Sequence, residues 1–258
     1  REELLAALVA TLQPEGILLR GDSRSRRQQG LSEDIAVAYG AVPEQLPLQE
    51  NGVQFLAPVH SGQKTGWFYD HRMSRARLAP WVRDKSVLDV YSYIGGWGIQ
   101  AAAFGASRVC CLDSSADALA GVMVNAGLNK LEDRVTTRRG SAPETMADMH
   151  REGQQFDVVI LDPPAFIQRK KDLKKGIAAY RRINELGLRL LSPNGLLVAG
   201  SCSMHLSRAD LMSAMQQAAV RANCQIRVVE QGAQGPDHPI HPAIPETEYL
   251  KAIFAVKL

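Results

Sequence analysis

The chain has 258 residues, 45% of them apolar, enough to bury one full α/β core and still leave a smaller appendage. A formal charge of +3 is too small to imply a partner by itself, so only local clusters of Lys and Arg carry weight. Four cysteines without a C-x-x-C pair point away from a disulfide framework and a zinc site. The lack of a long apolar run or a secretory signal pattern points away from a membrane span, and a cytoplasmic setting is expected. The sequence starts at Arg1 with a helical pattern already under way, so a fragment of a longer protein is expected.

Residues 2–12 (EELLAALVATL) space apolar side chains for a helix that Pro14 and Gly16 end. Residues 16–20 (GILLR) read as a short strand, a polar run with Arg24, Arg26 and Arg27 follows, and residues 53–59 (VQFLAPV) read as another strand. Glycines punctuate the remainder, so residues 1–79 are expected to form a small, hairpin-rich mixed α/β domain. From Ser86 onward strands and helices alternate, and the strands are near-continuous apolar runs, which predicts a doubly wound, mostly parallel sheet over residues 80–258. Two final strands, QIRVVEQGA and YLKAIFAVKL, have no helix between them and predict an antiparallel terminal hairpin.

In such sheets ligands bind beyond the carboxyl ends of the strands, which directs attention to the residues just after each one. The first ends Asp89-Val90-Tyr91-Ser92, followed by Gly95, Gly96 and Gly98; this spacing departs from the G-x-G-x-x-G of dinucleotide enzymes. Asp113 closes the next strand, where a carboxylate can accept from both ribose hydroxyls of a nucleoside cofactor, unless it merely caps the helix that follows, beyond Ser114. Asp89 is a candidate for the amino group of a methionine moiety, or else a turn aspartate.

The fourth strand ends Asp162-Pro163-Pro164 with Phe166 close by, a stiff loop suited to holding a flat heterocycle by its edge and face. The fifth ends GSCS, which puts Cys202 on the same edge, whereas Cys110, Cys111 and Cys224 lie in apolar surroundings and read as packing residues. A thiolate has a specific use in methyl transfer: addition to carbon 6 of a pyrimidine makes carbon 5 nucleophilic. Asp162 can then bond the ring nitrogen or exocyclic amine of cytosine. Arg169, Lys170, Lys171, Lys174 and Lys175 follow directly, and their mutual repulsion favours phosphate contact over a merely solvated face. The histidines form no metal-spaced set.

The stretches KTGWFYDHR, VLDVYSYIGGWG, NAGLN, VVILDPPAF, AYRRIN, GSCS, DHPI and YLKAI, in this order, resemble the large-subunit ribosomal RNA methyltransferase I family. The resemblance implies a class I, Rossmann-like methyltransferase domain, S-adenosylmethionine as cofactor, and 5-methylcytosine in 23S ribosomal RNA as product. It makes Cys202 the nucleophile, Asp162 the motif carboxylate and Asp113 the ribose ligand, and it implies an RNA-binding PUA module ahead of the domains seen here. The family pattern differs at Ala165, where it has Lys, and at Gly140-Ser141-Ala142, where many class I enzymes put Asp; Ser141 is left as a weaker adenine contact. Expected partners are ribosomal RNA and a second copy of the chain in a homodimer, with no membrane and no metal. Guanine N-methylation, or a non-catalytic role in RNA binding or ribosome assembly, stays open as an alternative.

Overall fold

A computed structural model describes residues 1–22, 26–27 and 29–258; Arg24 lies outside the described residues. The chain divides into two compact units. The first comprises residues 1–48 and 56–68, the second residues 49–55 and 69–258. The first unit contains helix α1 (Glu2–Leu12) and the antiparallel pair β1 (Gly16–Arg20) and β2 (Ile35–Gly40). A second two-stranded sheet joins β3 (Gln45–Glu50) to β4 (Val53–Pro58), and its turn end belongs to the second unit. The strands β2 and β3 escape the sequence reading because their side chains are mostly exposed and lack a clear apolar alternation.

The second unit continues through the short helices α2 (Arg72–Ala76) and α3 (Ala79–Val82) into a regular alternation. Its elements are β5 (Ser86–Val90), α4 (Gly98–Ala103), β6 (Arg108–Asp113), α5 (Ala116–Leu128), β7 (Val135–Arg139), α6 (Ala142–Arg151) and β8 (Phe156–Leu161). They continue with α7 (Leu173–Leu190), β9 (Leu191–Ser201), α8 (Arg208–Arg221), β10 (Ile226–Gly232) and β11 (Lys251–Lys257). The seven strands lie in the order β10-β11-β9-β8-β5-β6-β7. Neighbours from β7 to β9 are parallel, and β11 runs antiparallel to both β9 and β10.

This is the expected α/β class with a mostly parallel seven-stranded sheet. The strand order reverses between β5 and β8, with β6 and β7 on one side and β8 and β9 on the other, and in such sheets ligands bind in the crevice at the carboxyl ends beside that point. The last two strands pair antiparallel as expected, but β11 is inserted beside β9 and leaves β10 at the edge. Their sequences account for this: every residue of β11 from Lys251 to Ala255 is buried, while β10 keeps polar positions facing solvent.

The core runs from Leu88 and Leu112 through Val159, Leu186 and Leu197 to Ile253, packed under α6, α7 and α8. Ser115 caps α5 by accepting from Ala118 N, and Ser207 and Asp210 form a reciprocal capping box on α8.

Candidate active site

The glycine loop after β5 is built from strained backbone. Tyr91 and Tyr93 have φ of 64° and 49°, and Gly95 has +87°, so the chain reverses within a few residues. Tyr91 N and Ser92 N donate to Leu112 O of β6 at 2.9 and 3.1 Å. Asn125 on α5 donates to Ile94 O at 2.9 Å and fixes the crest of the loop. At Gly98 a Cβ would stand 2.6 Å from Cys111 Sγ and 3.0 Å from Asp89 Oδ2, so only glycine fits where the loop enters α4.

Asp89 lies under this loop and is fully enclosed. Its Oδ2 accepts from Gly98 N at 2.8 Å, while its Oδ1 and the nearby Ser92 Oγ are buried without a hydrogen-bond partner. Burial pushes the Asp89 carboxyl up to about 7, against the pull of the Gly98 N–H. The folded chain therefore keeps this proton where the unfolded chain has lost it, so the stability that the burial costs accumulates as the pH rises from the ordinary carboxylate range to about 7 and is constant above it.

Asp113, at the end of β6, is partly exposed and splits its carboxylate between Tyr93 N and Ser115 N, both at 2.9 Å. The side-chain cap of α5 is Ser115, so capping does not account for Asp113. Ser114 is exposed beside it, and Gly140 N donates to Asp113 O at 3.0 Å, bringing exposed Ser141 at the start of α6 to the same rim. Gly96 is half-buried and accepts from Gln100 Nε2 at 3.0 Å.

Asp162 follows β8. Its Oδ2 accepts from Trp97 Nε1 at 3.0 Å, and its Oδ1 is 3.2 Å from Nε2 of buried His71. Burial raises this carboxyl, but the His71 imidazole and the Trp97 N–H outweigh it and hold Asp162 below the usual carboxylate range. Neighbouring β9 must come close here: a Cβ at Gly200 would lie 3.1 Å from Asp162 Oδ1. Cys202, two residues on, is partly exposed between the buried Ser201 and Ser203.

A buried hydroxyl chain ties the two catalytic-side loops together. Ser201 Oγ donates to Tyr180 OH at 2.9 Å, Tyr180 OH and Ser203 Oγ are 2.9 Å apart, and Ile167 N donates to Ser203 Oγ at 3.3 Å. Phe166 is half-buried, with its ring 4.8 Å from that of Tyr180 and 6.4 Å from that of Tyr91. Pro163 is buried and Pro164 exposed.

The basic run divides. Arg169 is paired with Asp172 at 2.9 Å, whereas Lys170, Lys171, Lys174 and Lys175 are exposed and form no ion pair among the described residues. Lys174 and Lys175 occupy the first turn of α7, the end where the helix dipole disfavours a cation. In the other cluster Arg27 is held by Glu33 at 2.6 Å.

Trp97, His71, Gly200 and Tyr180 go unnamed as site residues in the sequence reading. Trp97, His71 and Tyr180 do lie within the stretches VLDVYSYIGGWG, KTGWFYDHR and AYRRIN, which was the available signal.

A parallel sheet with a reversed strand order, a glycine loop over an enclosed acid and a strand-end carboxylate is the arrangement of a nucleoside-cofactor site. Residues 26–254 match the profile of the family described as S-adenosylmethionine-dependent methyltransferase. The chain belongs to that family. The family's cofactor fits the residues present: Asp113 is a partly exposed carboxylate at a strand end that would face a ribose, and Asp89 Oδ1 and Ser92 Oγ, without a partner among the described residues, adjoin the loop that would hold the methionine end.

Among relatives of this methyltransferase, Ribosomal RNA large subunit methyltransferase I of Vibrio parahaemolyticus is 36% identical over all of this chain and 66% of its own length. The protein of the same name from Pseudoalteromonas atlantica is 33% identical, covering 98% of this chain and 64% of its own. The chain thus spans just under two thirds of the curated relatives it matches. A methyltransferase from Streptococcus mutans has a TM-score of 0.85 at 22% identity, covering 99% of this chain and 65% of that one. Trm5b of Pyrococcus abyssi follows at 0.71 and 15%, covering 100% and 71%. At these identities the likeness is one of fold. No helix of the described residues is long and apolar enough to cross a membrane, and no group of His, Cys, Asp or Glu among them could hold a metal.

Proposed function

We propose that this methyltransferase modifies carbon 5 of a cytosine in large-subunit ribosomal RNA through a covalent adduct with Cys202. The carrying observation is that Cys202 and Asp162 follow adjacent parallel strands, β9 and β8, with Gly200 allowing the two strand ends to approach closely. The relatives named for large-subunit ribosomal RNA supply the substrate class.

In this reading the Cys202 thiolate forms a bond to carbon 6 and pushes an electron pair toward carbon 5. S-adenosylmethionine supplies the electrophilic methyl group. Asp162 is held ionised by His71 and Trp97 and so acts as an acceptor, matched to the exocyclic amine of cytosine. Phe166 and Pro164 flank the base, and the hydroxyl chain through Tyr180 keeps the Phe166 and Cys202 loops in register. After methyl transfer, loss of the carbon 5 proton expels the thiolate and restores the aromatic ring.

Asp113, with Ser114 and Ser141 along the same rim, holds the nucleoside end of the cofactor, and the loop of Tyr91, Ser92, Gly95 and Gly96 holds the methionine end. Asp113→Ala is expected to weaken S-adenosylmethionine binding by roughly ten-fold or more, the worth of one charge-assisted hydrogen bond. Calorimetry giving the wild-type affinity would remove Asp113 from the site.

Arg169, Lys170, Lys171, Lys174 and Lys175 contact phosphate, with residues 1–79 as a further RNA-contacting domain. Replacing all four lysines by Gln should lower RNA affinity and flatten its logarithmic salt dependence by up to about 3 units, while cofactor affinity stays unchanged. An unaltered salt slope would make them a solvated face.

The reading as a whole is tested by methylating ribosomal RNA from cells that lack this protein and digesting the product to nucleosides. It requires 5-methylcytidine. A methylated guanosine would transfer the activity to amine chemistry, and RNA binding without cofactor binding would indicate an assembly factor.

A further inference from the structure

Lys251, the first residue of β11, is 3% exposed. Its ammonium donates to Ser203 O at 2.8 Å and to Leu206 O at 2.6 Å, both in the segment that follows Cys202. An ammonium has three N–H donors and a full charge. Two donors are satisfied by neutral carbonyls, and among the described residues Lys251 forms no ion pair with a carboxylate. A buried charge without a counter-ion is costly, and such lysines are found paired or neutralised.

The ionisable groups that face this corner come from several elements. Cys202 lies in the loop after β9, Arg208 starts α8 with its Nη1 on Gly232 O at 3.2 Å, and exposed Glu248 precedes β11. Tyr180 of α7 and Tyr249 also feel the Cys202 sulfur, and Tyr249 donates to Asp70 at 2.9 Å. Asp237 acts on Tyr249 from the loop between β10 and β11 and is paired with Arg72 at 2.9 Å. Both tyrosines are pushed upward, chiefly by burial, and are neutral at physiological pH. Glu248 is exposed, whereas Lys251 is bonded to the residue next to Cys202, so Cys202 is the ionisable side chain carried on the segment that the ammonium holds.

We propose that Lys251 is the positioning residue of the nucleophile: its ammonium fixes the loop that carries Cys202 and supplies the positive potential that keeps the sulfur as thiolate. The S–H proton leaves to solvent and the electron pair stays on sulfur, ready for carbon 6. Burial and the Arg208 guanidinium push the Lys251 ammonium down to about 8, against Cys202 and Glu248, so it still carries its charge at neutral pH. The inference rests on the reading of Cys202 as nucleophile, but thiol acidity can be measured without RNA or methyl transfer.

The test is site-resolved alkylation of the intact chain by iodoacetamide across pH, read by mass spectrometry at each cysteine. In the wild type, Cys202 should reach half-maximal alkylation at lower pH than Cys224, whose thiol burial pushes up. That comparison needs no variant, and a Cys202 midpoint at or above that of Cys224 overturns the proposal. Lys251→Met should move the Cys202 midpoint up by a unit or more, about a ten-fold loss of thiolate at pH 7. Methyl transfer by that variant should recover as the pH is raised. Lys251→Gln, which keeps a donor without the charge, should show the same shift if Lys251→Met does not fold. An unmoved midpoint with impaired methyl transfer would reduce Lys251 to a loop anchor. Should Cys202→Ala retain activity, the functional reading fails while the Lys251 effect on the thiol can still stand.

Discussion

Cys202→Ala should abolish methyl transfer, by at least several orders of magnitude, while folding and cofactor binding remain nearly intact. Carbon 5 of cytosine is a poor nucleophile, and in the proposed mechanism the Cys202 sulfur forms the carbon 6 bond that activates it. The thiol is partly exposed, so truncating it leaves little cavity and should change stability by no more than about 1 kcal/mol. A second signature follows from the end of the reaction. On RNA containing 5-fluorocytosine the wild type should become trapped as a covalent complex that survives denaturing electrophoresis, because fluorine cannot leave as a proton does. The alanine variant should give no such band. Robust methylation by Cys202→Ala would sink the nucleophile assignment and leave Asp162 to steer an amine.

The largest effect on stability is expected at Arg75→Met. The Arg75 guanidinium donates twice to Glu50, at 2.5 and 2.9 Å, and the two side chains are 3% and 5% exposed. Gln100 adds a bond to the same carboxylate at 2.8 Å, and Asn51 bonds Gln100 at 2.7 Å, so the pair anchors the turn of β3 and β4 to α4. Removing the arginine strands a buried carboxylate, which costs about 3 to 5 kcal/mol and lowers Tm by roughly 6–20 °C. The double variant Glu50→Met, Arg75→Met should regain most of the loss, because it buries no charge. Equal melting curves for Arg75→Met and wild type would show that the pair contributes nothing.

Much of this architecture is visible in the one-dimensional pattern, because parallel strands covered on both faces must be apolar throughout. The runs SVLDV, FDVVIL and KAIFAVK announce interior strands, and the residues that follow two of them carry Asp162 and the glycine loop. The groups that tune these residues are another matter. Trp97 reaches Asp162 across 65 positions of sequence, and Lys251 reaches Ser203 across 48. Nothing local distinguishes an indole that holds a carboxylate from one that fills a core, or a lysine bound under a thiol from one in solvent. The basic run shows the same limit from the other side: sequence groups Arg169 with four lysines and gives no sign that Asp172 pairs with it at 2.9 Å. NAGLN reads as an unremarkable helix end. Its Asn125 fixes the glycine loop, and its Asn129 brackets Gln54 of β4, accepting from its N–H at 3.0 Å and donating to its carbonyl at 2.7 Å.

The position of β11 also sets the order in which the molecule can be completed. It follows β9 and β10 in sequence, yet it lies between them, so until it is synthesised and inserted both of those strands present bare edges. During translation the sheet therefore stays split, and the segment after Cys202 lacks its Lys251 bonds although Tyr180 can already hold Ser201 and Ser203. A chain lacking β11 would carry two sticky edges, a state for chaperones to shield and for proteases to clear.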